Sequence, residues 1–414
     1  MLQDILVLQR REIDKRLKER YIEREVPAGI MDTDLVKVIM GPRRAGKSFF
    51  GIHAMNRLGP FGYVNFDDER LVDLEDYDAL VAAIETVYGN TRFLLFDEIQ
   101  NIPRWELLVN RLQRQGYNLT VTGSNAHLLA SELATHLTGR HIPMYITPFS
   151  FSEYLKSLDR ELTSHEKVEA LRNYAETGGY PEVVLKDIPA GQYLTTLLHS
   201  ILYKDIVLRH RIRAPQGLED MASLLASNVA QLYSLRTLKD TSRLRSVHTV
   251  EKYLRHLEEA FLFFSLKRFS FKVREQAKSN RKIYCIDNGL VTSASFRFSG
   301  KTGRLYENLV AVALLKQQLE GDLECFYWQG PKREEVDFVV KEGTKVSSLI
   351  QVCANPEDPK AKTRETRSLL KASENLGCDN LLVLTENHEG EEHHSWYGME
   401  GTIRYIPLWK WLLA

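Results

Sequence analysis

The sequence predicts an α/β fold that begins with a parallel sheet carrying a phosphate-binding loop (P-loop), with helices on both faces of the sheet. Apolar segments alternate with segments of helical spacing over residues 31–150, and this rhythm is typical of a parallel sheet. The first apolar segment runs into the sequence GPRRAGKS at residues 41–48, which has the glycine and lysine spacing of a P-loop. Strands are predicted at residues 35–40, 61–66, 92–96, 118–122 and 142–146.

Length and composition are those of a multidomain globular protein. The chain has 414 residues, of which 43% are hydrophobic and 27% charged. No apolar run approaches the roughly 18 residues of a spanning helix, and the N-terminus lacks a signal-peptide pattern. The four cysteines are far apart and form no CxxC pair, which disfavours a disulfide framework or a structural zinc site. These features predict a cytoplasmic protein without a membrane partner.

Five segments are expected along the chain. Residues 1–30 are predicted to form a charged helix that stops near Pro27, and residues 31–150 to form the P-loop core. Residues 151–215 have helical spacing, and residues 216–300 have helices followed by two strands joined by a basic hairpin. Residues 301–414 begin with a helix and continue with several strands and a further helix.

The P-loop motif predicts a nucleotide site. Its glycines allow the backbone to wrap the phosphates, whose charge is held by N–H groups and by the helix N-terminus. Lys47 is expected to reach the β- and γ-phosphates, and the Ser48 hydroxyl to bind Mg²⁺. The residues expected to contact the nucleotide are Gly41, Pro42, Arg43, Arg44, Ala45, Gly46, Lys47, Ser48 and Phe49.

A second motif supplies the carboxylates that nucleotide hydrolysis requires. An apolar strand at residues 92–96 ends in Asp97 and Glu98. We expect Asp97 to bind Mg²⁺ and Glu98 to act as the general base that polarises the attacking water. The glutamate favours hydrolysis over kinase chemistry, in which a substrate hydroxyl takes the place of that water. The alternative is that Asp97 and Glu98 merely cap a strand.

Two further positions are candidates for roles in hydrolysis. Ser124 and Asn125 follow the next strand and could contact the γ-phosphate or the water, although they could equally cap the following helix. Arg140 precedes the fifth predicted strand and could act as an arginine finger in a neighbouring subunit. The alternative for Arg140 is an ordinary solvated arginine.

Local basic residues suggest DNA binding, although the chain has 55 basic and 55 acidic residues and no net charge. Lys252 and Arg255 lie on the polar face of a helix with an apolar stripe. A helix followed by a basic wing is a DNA-binding arrangement in which the wing cations meet phosphates. The alternative is a solvated hairpin that contacts protein. The basic residues of the hairpin are Lys267, Arg268, Lys272, Arg274, Lys278, Arg281 and Lys282, and Lys272, Arg274 and Lys278 are its DNA-binding candidates.

In combination, the motifs resemble bacterial and archaeal AAA+-type ATPases with a C-terminal domain of unknown function that resembles restriction endonucleases. The resemblance spans nearly the whole chain. It implies an AAA+-like sheet, a winged helix at residues 216–300 and a nuclease-like α/β domain at residues 301–414. The matching segments are GPRRAGKS (41–48), FDEIQ (96–100), VTGSN (121–125), PFSFSEYL (148–155), ETGGYPEVV (176–184), YENLV (306–310) and EVDFVV (335–340).

The same resemblance implies a degenerate nuclease site. Glu307, Asp337 and Gln351 fall where a PD-(D/E)xK nuclease keeps Glu, Asp and the Glu of its Glu-x-Lys motif, and Cys353 falls at the lysine. Gln351 carries no charge for a metal, and Cys353 cannot offset phosphate charge. We therefore expect little or no nuclease activity, with Lys345 or Lys362 as conceivable displaced lysines.

The predicted function is ATP hydrolysis, with ATP and Mg²⁺ as cofactors, used to remodel or translocate DNA. The expected assembly is a homo-oligomer, for which a hexameric ring is one arrangement. One alternative is a nucleotide-regulated switch that binds DNA or protein. A second is an active nuclease effector in defence against foreign DNA.

Overall fold

The computed structural model describes the whole chain except residues 28, 73, 125–138, 295–301 and 333. These residues form two compact units, Met1–Pro148 with Glu259–Phe261 and Phe149–Glu258 with Leu262–Ala414. The second unit therefore takes in nearly all of the three segments predicted after residue 150. Among the described residues, no helix has the length and apolarity that crossing a membrane requires.

The first unit contains a five-stranded sheet in which every pair of neighbouring strands is parallel. The strand order is β2-β3-β4-β1-β5, so the first strand lies inside the sheet. This confirms the predicted α/β class and its parallel sheet, with each predicted strand found within two residues of its expected bounds. The strands are β1 (Val36–Met40), β2 (Phe61–Asn65), β3 (Phe93–Asp97), β4 (Asn118–Gly123) and β5 (His141–Tyr145).

Helices cover this sheet and supply its core. Val38, Val64 and Phe96 are fully buried in the strands, and Leu6 of the first helix packs into the same apolar cluster. The predicted helix over residues 1–30 is shorter than expected and ends at Arg16. The following segment has no regular structure and buries Arg24, whose guanidinium bonds two backbone carbonyls. The helices are α1 (Leu2–Arg16), α2 (Lys47–Leu58), α3 (Tyr77–Tyr88) and α4 (Trp105–Arg114).

The second unit begins with helices whose N-termini are capped by their own sequence. Ser150 and Thr163 each form a capping box, with Glu153 and Glu166 respectively. A π-helix, Ile201–Leu208, continues the fourth of these helices. The helices are α5 (Phe151–Ser157), α6 (Ser164–Thr177), α7 (Pro181–Leu185), α8 (Ala190–Ser200) and α9 (Gln216–Ser227).

A buried carboxylate joins two distant turns of the second unit. Asp287 accepts hydrogen bonds from the backbone N–H groups of Gly179 (2.7 Å), Gly289 (2.9 Å) and Leu290 (3.3 Å). A Cβ on Gly178, whose φ is +75°, would lie 2.1 Å from the Asp287 carboxylate. Glycine is therefore required at this turn by both backbone conformation and space.

We expect Asp287 to make stability depend on pH. Burial raises the pKa of its carboxyl from 3.8 to about 6, although the three backbone N–H groups lower it. A raised carboxyl pKa gives stability that is complete below the unfolded pKa and is lost as pH rises through the folded pKa. The free energy of unfolding of Asp287→Asn, measured by chemical denaturation, should therefore depend less on pH between pH 4 and about 6 than that of the parent protein. Asp220→Asn, at an exposed position, controls for the lost charge. If the pH dependence of stability is the same in Asp287→Asn as in the parent, Asp287 is not its source.

A small antiparallel sheet follows, with the order β6-β8-β7. The basic hairpin that was predicted between its last two strands is wrong in detail, because a short helix, α12 (Val273–Lys278), interrupts the connection. Ser270 bonds Glu275 and accepts from the backbone N–H of Lys272, which fixes the start of this helix. The other elements are β6 (Gln231–Tyr233), α10 (Leu235–Thr241), α11 (Val247–Glu259), β7 (Phe263–Leu266), β8 (Arg281–Cys285) and α13 (Asn288–Ala294).

A mixed six-stranded sheet forms the C-terminal part of the second unit, with the order β13-β14-β12-β11-β10-β9. Strands β11, β12 and β14 are parallel, and the remaining pairs are antiparallel. The strands are β9 (Glu324–Gln329), β10 (Glu335–Glu342), β11 (Lys345–Val352), β12 (Leu381–Thr385), β13 (Gly390–Trp396) and β14 (Met399–Pro407). The helices are α14 (Thr302–Glu320), α15 (Pro359–Leu376) and α16 (Leu408–Trp411).

Candidate functional site

The predicted P-loop lies between β1 and α2, at the carboxyl end of the sheet. Strand β1 ends at Met40 and helix α2 begins at Lys47. A Cβ on Gly41 would lie 2.0 Å from the carbonyl oxygen of Ile146, and Gly46 has φ +97°. Both positions therefore require glycine, as expected for a loop that folds tightly before a helix.

The side chain of Lys47 already lies inside this loop. It is 4% exposed, and its ammonium donates to the carbonyl oxygen of Pro42 at 3.0 Å. The bond holds the ammonium against the backbone of the loop. A phosphate bound by the loop would compete with the carbonyl for the lysine.

Arg24 stabilises the loop from outside and was missed by the sequence analysis. Its buried guanidinium donates to the carbonyl oxygen of Ala45 at 2.9 Å and to that of Thr147. The only signal in the sequence was an arginine in a segment expected to be helical. Arg24 thereby joins the P-loop to the chain that follows β5.

We expect Arg24→Ala to lower the free energy of unfolding by about 2–4 kcal/mol, because it leaves buried carbonyls without charge-assisted hydrogen bonds. It should also weaken nucleotide binding by loosening the P-loop. The matched control is Arg57→Ala, which removes an exposed ion pair with Glu23 and should cost about 1 kcal/mol or less. Chemical denaturation compares the two variants, and equal losses would contradict a special role for Arg24.

Ser48 and Asp97, which were both expected to bind Mg²⁺, lie next to each other. The Ser48 hydroxyl donates to Asp97 Oδ1 at 2.8 Å, and Asp97 is 2% exposed. Tyr63 donates to Asp97 Oδ2 at 2.9 Å, and the Thr122 hydroxyl also bonds this carboxylate. Burial, followed by the charge of Glu98, raises the pKa of Asp97 above its usual value. These oxygen atoms are of the type that Mg²⁺ prefers.

Glu98 adopts an unusual backbone conformation that is held by its neighbours. Its φ is +52°, in the left-handed region, and its N–H donates to the Thr122 hydroxyl at 3.0 Å. Its carboxylate accepts from Gln100 Nε2 at 2.5 Å and from the Ser124 hydroxyl at 3.4 Å. Ser124 was a sequence candidate, whereas Gln100 was not.

Of the two remaining candidates of this unit, only Arg140 lies among the described residues. Asn125 lies outside the described residues. Arg140 is exposed next to the start of β5, and its carbonyl accepts from the N–H of Val36 at 3.0 Å. Val36 begins β1, whereas the P-loop leaves the other end of that strand. Arg140 is therefore about 16 Å along the strands from the P-loop of its own chain.

The DNA-binding candidates all lie on exposed positions of the second unit. Lys252 and Arg255 belong to α11, Arg274 and Lys278 belong to α12, and Lys272 precedes α12. Lys272 makes one exposed ion pair, with Glu275 at 3.4 Å. Lys282, which was expected to be a wing cation, is instead buried on β8 with 2% exposure.

The nuclease-like positions converge around Lys282. Its ammonium lies 2.8 Å from Glu307 Oε1, 2.7 Å from Glu335 Oε1 and 2.8 Å from Asp337 Oδ1. We call Glu307, Glu335 and Asp337 the carboxylate cluster. Burial alone lowers the pKa of Lys282, but the charges of Asp337, Glu307 and Glu335 raise it well above its usual value. Burial, followed by the charge of Asp337, raises the pKa of Glu307 to about 8.

Gln351 is used for hydrogen bonds within the same site. Its Oε1 accepts from the N–H of Asp337 at 3.1 Å, and its Nε2 donates to Glu365. Burial, followed by the charge of Asp337, raises the pKa of Glu365 to about 7. Cys353 is buried, and that burial raises its thiol pKa to about 11. A thiol is neutral or anionic, so it cannot act as a cation. Neither Gln351 nor Cys353 supplies the charge that the nuclease motif has at these positions.

A pocket of about 840 Å³ opens beside the carboxylate cluster. The cationic side chains among its lining residues are Lys282, Arg304, Lys332, Lys360, Arg364 and Arg367. Lys345 and Lys362, the conceivable displaced lysines, are not among the lining residues, and Lys362 pairs with Glu392. Lys282, 25 residues before Glu307 along the chain, is the lysine that reaches this site.

Three families match successive parts of the chain. An AAA domain matches residues 33–155. Two domains of unknown function follow, DUF8612 at residues 168–301 and DUF4143 at residues 302–411. The first match coincides with the five-stranded sheet and its P-loop.

Among solved structures, the chain is similar to the Walker-type ATPase PABY2304 of Pyrococcus abyssi. The two are 15% identical, with a TM-score of 0.43 over 69% of this chain and 95% of that one. AMPPCP-bound DnaA from Aquifex aeolicus is also 15% identical, with a TM-score of 0.28 over 61% and 87% of the respective chains.

Two relatives match nearly end to end. An uncharacterized protein of Methanocaldococcus jannaschii is 33% identical over 99% of this chain and 94% of its own length. An uncharacterized protein of Haemophilus influenzae is 30% identical over 96% of this chain and 98% of its own length. The chain therefore belongs to the same family as these two uncharacterized relatives, and its residues 33–155 match an AAA domain.

Proposed function

We propose that this protein is a Mg²⁺-dependent ATPase that uses hydrolysis to remodel or translocate DNA. The observation that carries the ATPase proposal is the contact between the P-loop and the strand that ends at Asp97, directly before Glu98. Lys47 lies inside the loop, and the Ser48 hydroxyl is 2.8 Å from the buried Asp97 carboxylate. Glu98 follows directly on the same strand end.

These residues fit Mg²⁺ and a nucleoside triphosphate. Ser48 and Asp97 offer oxygen atoms next to each other, and burial raises the pKa of Asp97, so a cation beside its carboxylate would stabilise the charged form. Bound there, Mg²⁺ would offset charge on the β- and γ-phosphates. Lys47 would exchange its bond to Pro42 for bonds to the same phosphates.

Glu98 is the proposed general base. Its carboxylate accepts a proton from water while the water oxygen bonds the γ-phosphorus and the bond to the ADP oxygen breaks. Gln100 and Ser124 hold the carboxylate and are positioning residues. A carboxylate held in this way also favours the alternative of a nucleotide-regulated switch, in which hydrolysis is slow until a partner frees Glu98.

DNA binding is proposed for the segment that contains α9 to β8. Its order of elements is helix, strand, helix, helix, strand, helix and strand, and the connection before β8 is basic. We propose that this segment is a winged helix, with Lys252 and Arg255 on α11 facing DNA. The C-terminal domain would then contact DNA or other subunits without cutting DNA.

We also propose that the protein assembles as a homo-oligomer, with a hexameric ring as one arrangement. Arg140 is too far from its own P-loop to reach a bound γ-phosphate, so it would act on the site of a neighbouring subunit. We place the protein in the cytoplasm, since its four cysteines are buried and unpaired.

We expect neutralising Lys272, Arg274 and Lys278 together to weaken DNA binding for all sequences, because these cations would contact phosphates. The slope of log affinity against log salt should fall by about one for each phosphate that is no longer neutralised. The matched control neutralises the exposed Arg11, Lys15 and Lys18 of the first unit. Fluorescence anisotropy with duplex and branched DNA over a salt series compares the variants. Equal DNA affinities and equal salt slopes for the two triple variants would exclude the wing as a DNA-binding surface.

A further inference from the structure

We propose that Lys282 is a built-in cation that occupies the position of a divalent metal ion in the carboxylate cluster. Glu307 comes from α14, Glu335 and Asp337 lie two residues apart on the same face of β10, and Lys282 comes from β8. Three carboxylate oxygens thus surround one position, and the ammonium nitrogen of Lys282 occupies it, 2.7–2.8 Å from each oxygen. This inference does not depend on ATP hydrolysis or on DNA binding.

The ammonium offsets the negative charge of the carboxylate cluster, as a bound metal ion would. The Lys282 ammonium donates a hydrogen bond to Asp337 Oδ1 and forms ion pairs with Glu307 and Glu335. Buried carboxylates need a cation nearby, because their burial without one is strongly unfavourable. The Lys282 side chain is 2% exposed and the side chains of Asp337 and Glu307 are 7% and 12% exposed. A metal ion and this ammonium cannot occupy the same point.

The geometry also argues against Lys282 as a catalytic lysine. A lysine that activates water or offsets phosphate charge must contact the water or the phosphate. The Lys282 ammonium instead lies 2.7–2.8 Å from three carboxylate oxygens, and the side chain is buried. Gln351, which stands in the position of a third metal ligand, is hydrogen bonded to the N–H of Asp337 and to the carboxylate of Glu365. The site therefore holds its own cation and needs no metal to remain folded.

The experiment measures Mn²⁺ binding by electron paramagnetic resonance, using the full-length, nucleotide-free protein in a Lys47→Ala background. The parent should bind no Mn²⁺ in the pocket. Lys282→Ala should gain one Mn²⁺ per chain, bound about 10–100-fold more tightly than any site of the parent. The gain should disappear when Asp337→Asn is added. Lys37→Ala is the control, because it removes another buried lysine, whose ammonium donates to a carbonyl and an amide oxygen.

A thermal melt with and without Mn²⁺ checks that the variants fold. Mn²⁺ should raise the Tm of Lys282→Ala and leave the Tm of the parent unchanged. If Lys282→Ala does not fold, Lys282→Met with Glu335→Gln removes one cation and one carboxylate. This variant should also gain a Mn²⁺, bound more weakly than in Lys282→Ala because one ligand is lost but more tightly than at any site of the parent.

Two results would overturn the proposal. One is a folded Lys282 variant that gains no Mn²⁺. The other is Mn²⁺ binding, or metal-dependent DNA cleavage, by the parent that Asp337→Asn abolishes.

Discussion

Glu98→Gln should slow ATP hydrolysis by about 10²–10⁴-fold, the usual contribution of a general base. The amide keeps the size of the side chain and can still hydrogen bond Gln100, but it cannot take a proton from water. Nucleotide binding should be retained, because Lys47, Ser48 and the P-loop backbone are unchanged. Single-turnover phosphate release measures the chemical step, and titration of a fluorescent nucleotide measures binding.

The control for Glu98→Gln is Glu75→Gln, which neutralises an exposed acid of the same unit and should leave both quantities unchanged. Normal phosphate release by Glu98→Gln would remove Glu98 from the mechanism. Loss of nucleotide binding would instead indicate that the left-handed backbone at residue 98, with φ +52°, is part of the P-loop architecture.

Arg140→Ala should reduce hydrolysis by about 10³–10⁵-fold if it supplies an arginine finger between subunits. Its distance from its own P-loop predicts that nucleotide binding remains normal. Mixing Arg140→Ala with Lys47→Ala should restore activity in part, because one subunit then supplies the finger and the other supplies the intact P-loop. Each variant alone should remain inactive.

The matched control for Arg140→Ala is Arg114→Ala, which removes another exposed arginine of the same unit. Both are assayed at concentrations where light scattering shows assembly. Unchanged hydrolysis by assembled Arg140→Ala, or no recovery on mixing, would exclude the finger.

The parts of the nucleotide site that could be predicted are those encoded by short, contiguous motifs. Lys47 and Ser48 belong to one motif, and Asp97 and Glu98 end a strand that pairs in parallel with its neighbours. Because the carboxyl ends of parallel strands meet at one edge, the two motifs had to converge. Sequence spacing was therefore enough to anticipate the contact between Ser48 and Asp97.

The supporting residues could not be predicted because their partners are distant in the chain. Arg24 bonds a carbonyl 123 residues away, and Tyr63 meets Asp97 across 34 residues. Lys282 was assigned to a solvent-exposed wing because its neighbours are basic. Its burial depends on Asp337, 55 residues later. The helix within the predicted hairpin was missed because six residues are too few for a periodic pattern.

We propose that ATP hydrolysis by this protein is coupled to DNA binding. The most direct measurement is the steady-state ATPase rate of the purified protein without DNA and with single-stranded, duplex or branched DNA. We expect at least one DNA form to accelerate turnover several-fold, and we expect the variant lacking Lys272, Arg274 and Lys278 to lose this acceleration. Slow turnover that no DNA form changes would contradict the proposal and favour a nucleotide-regulated switch.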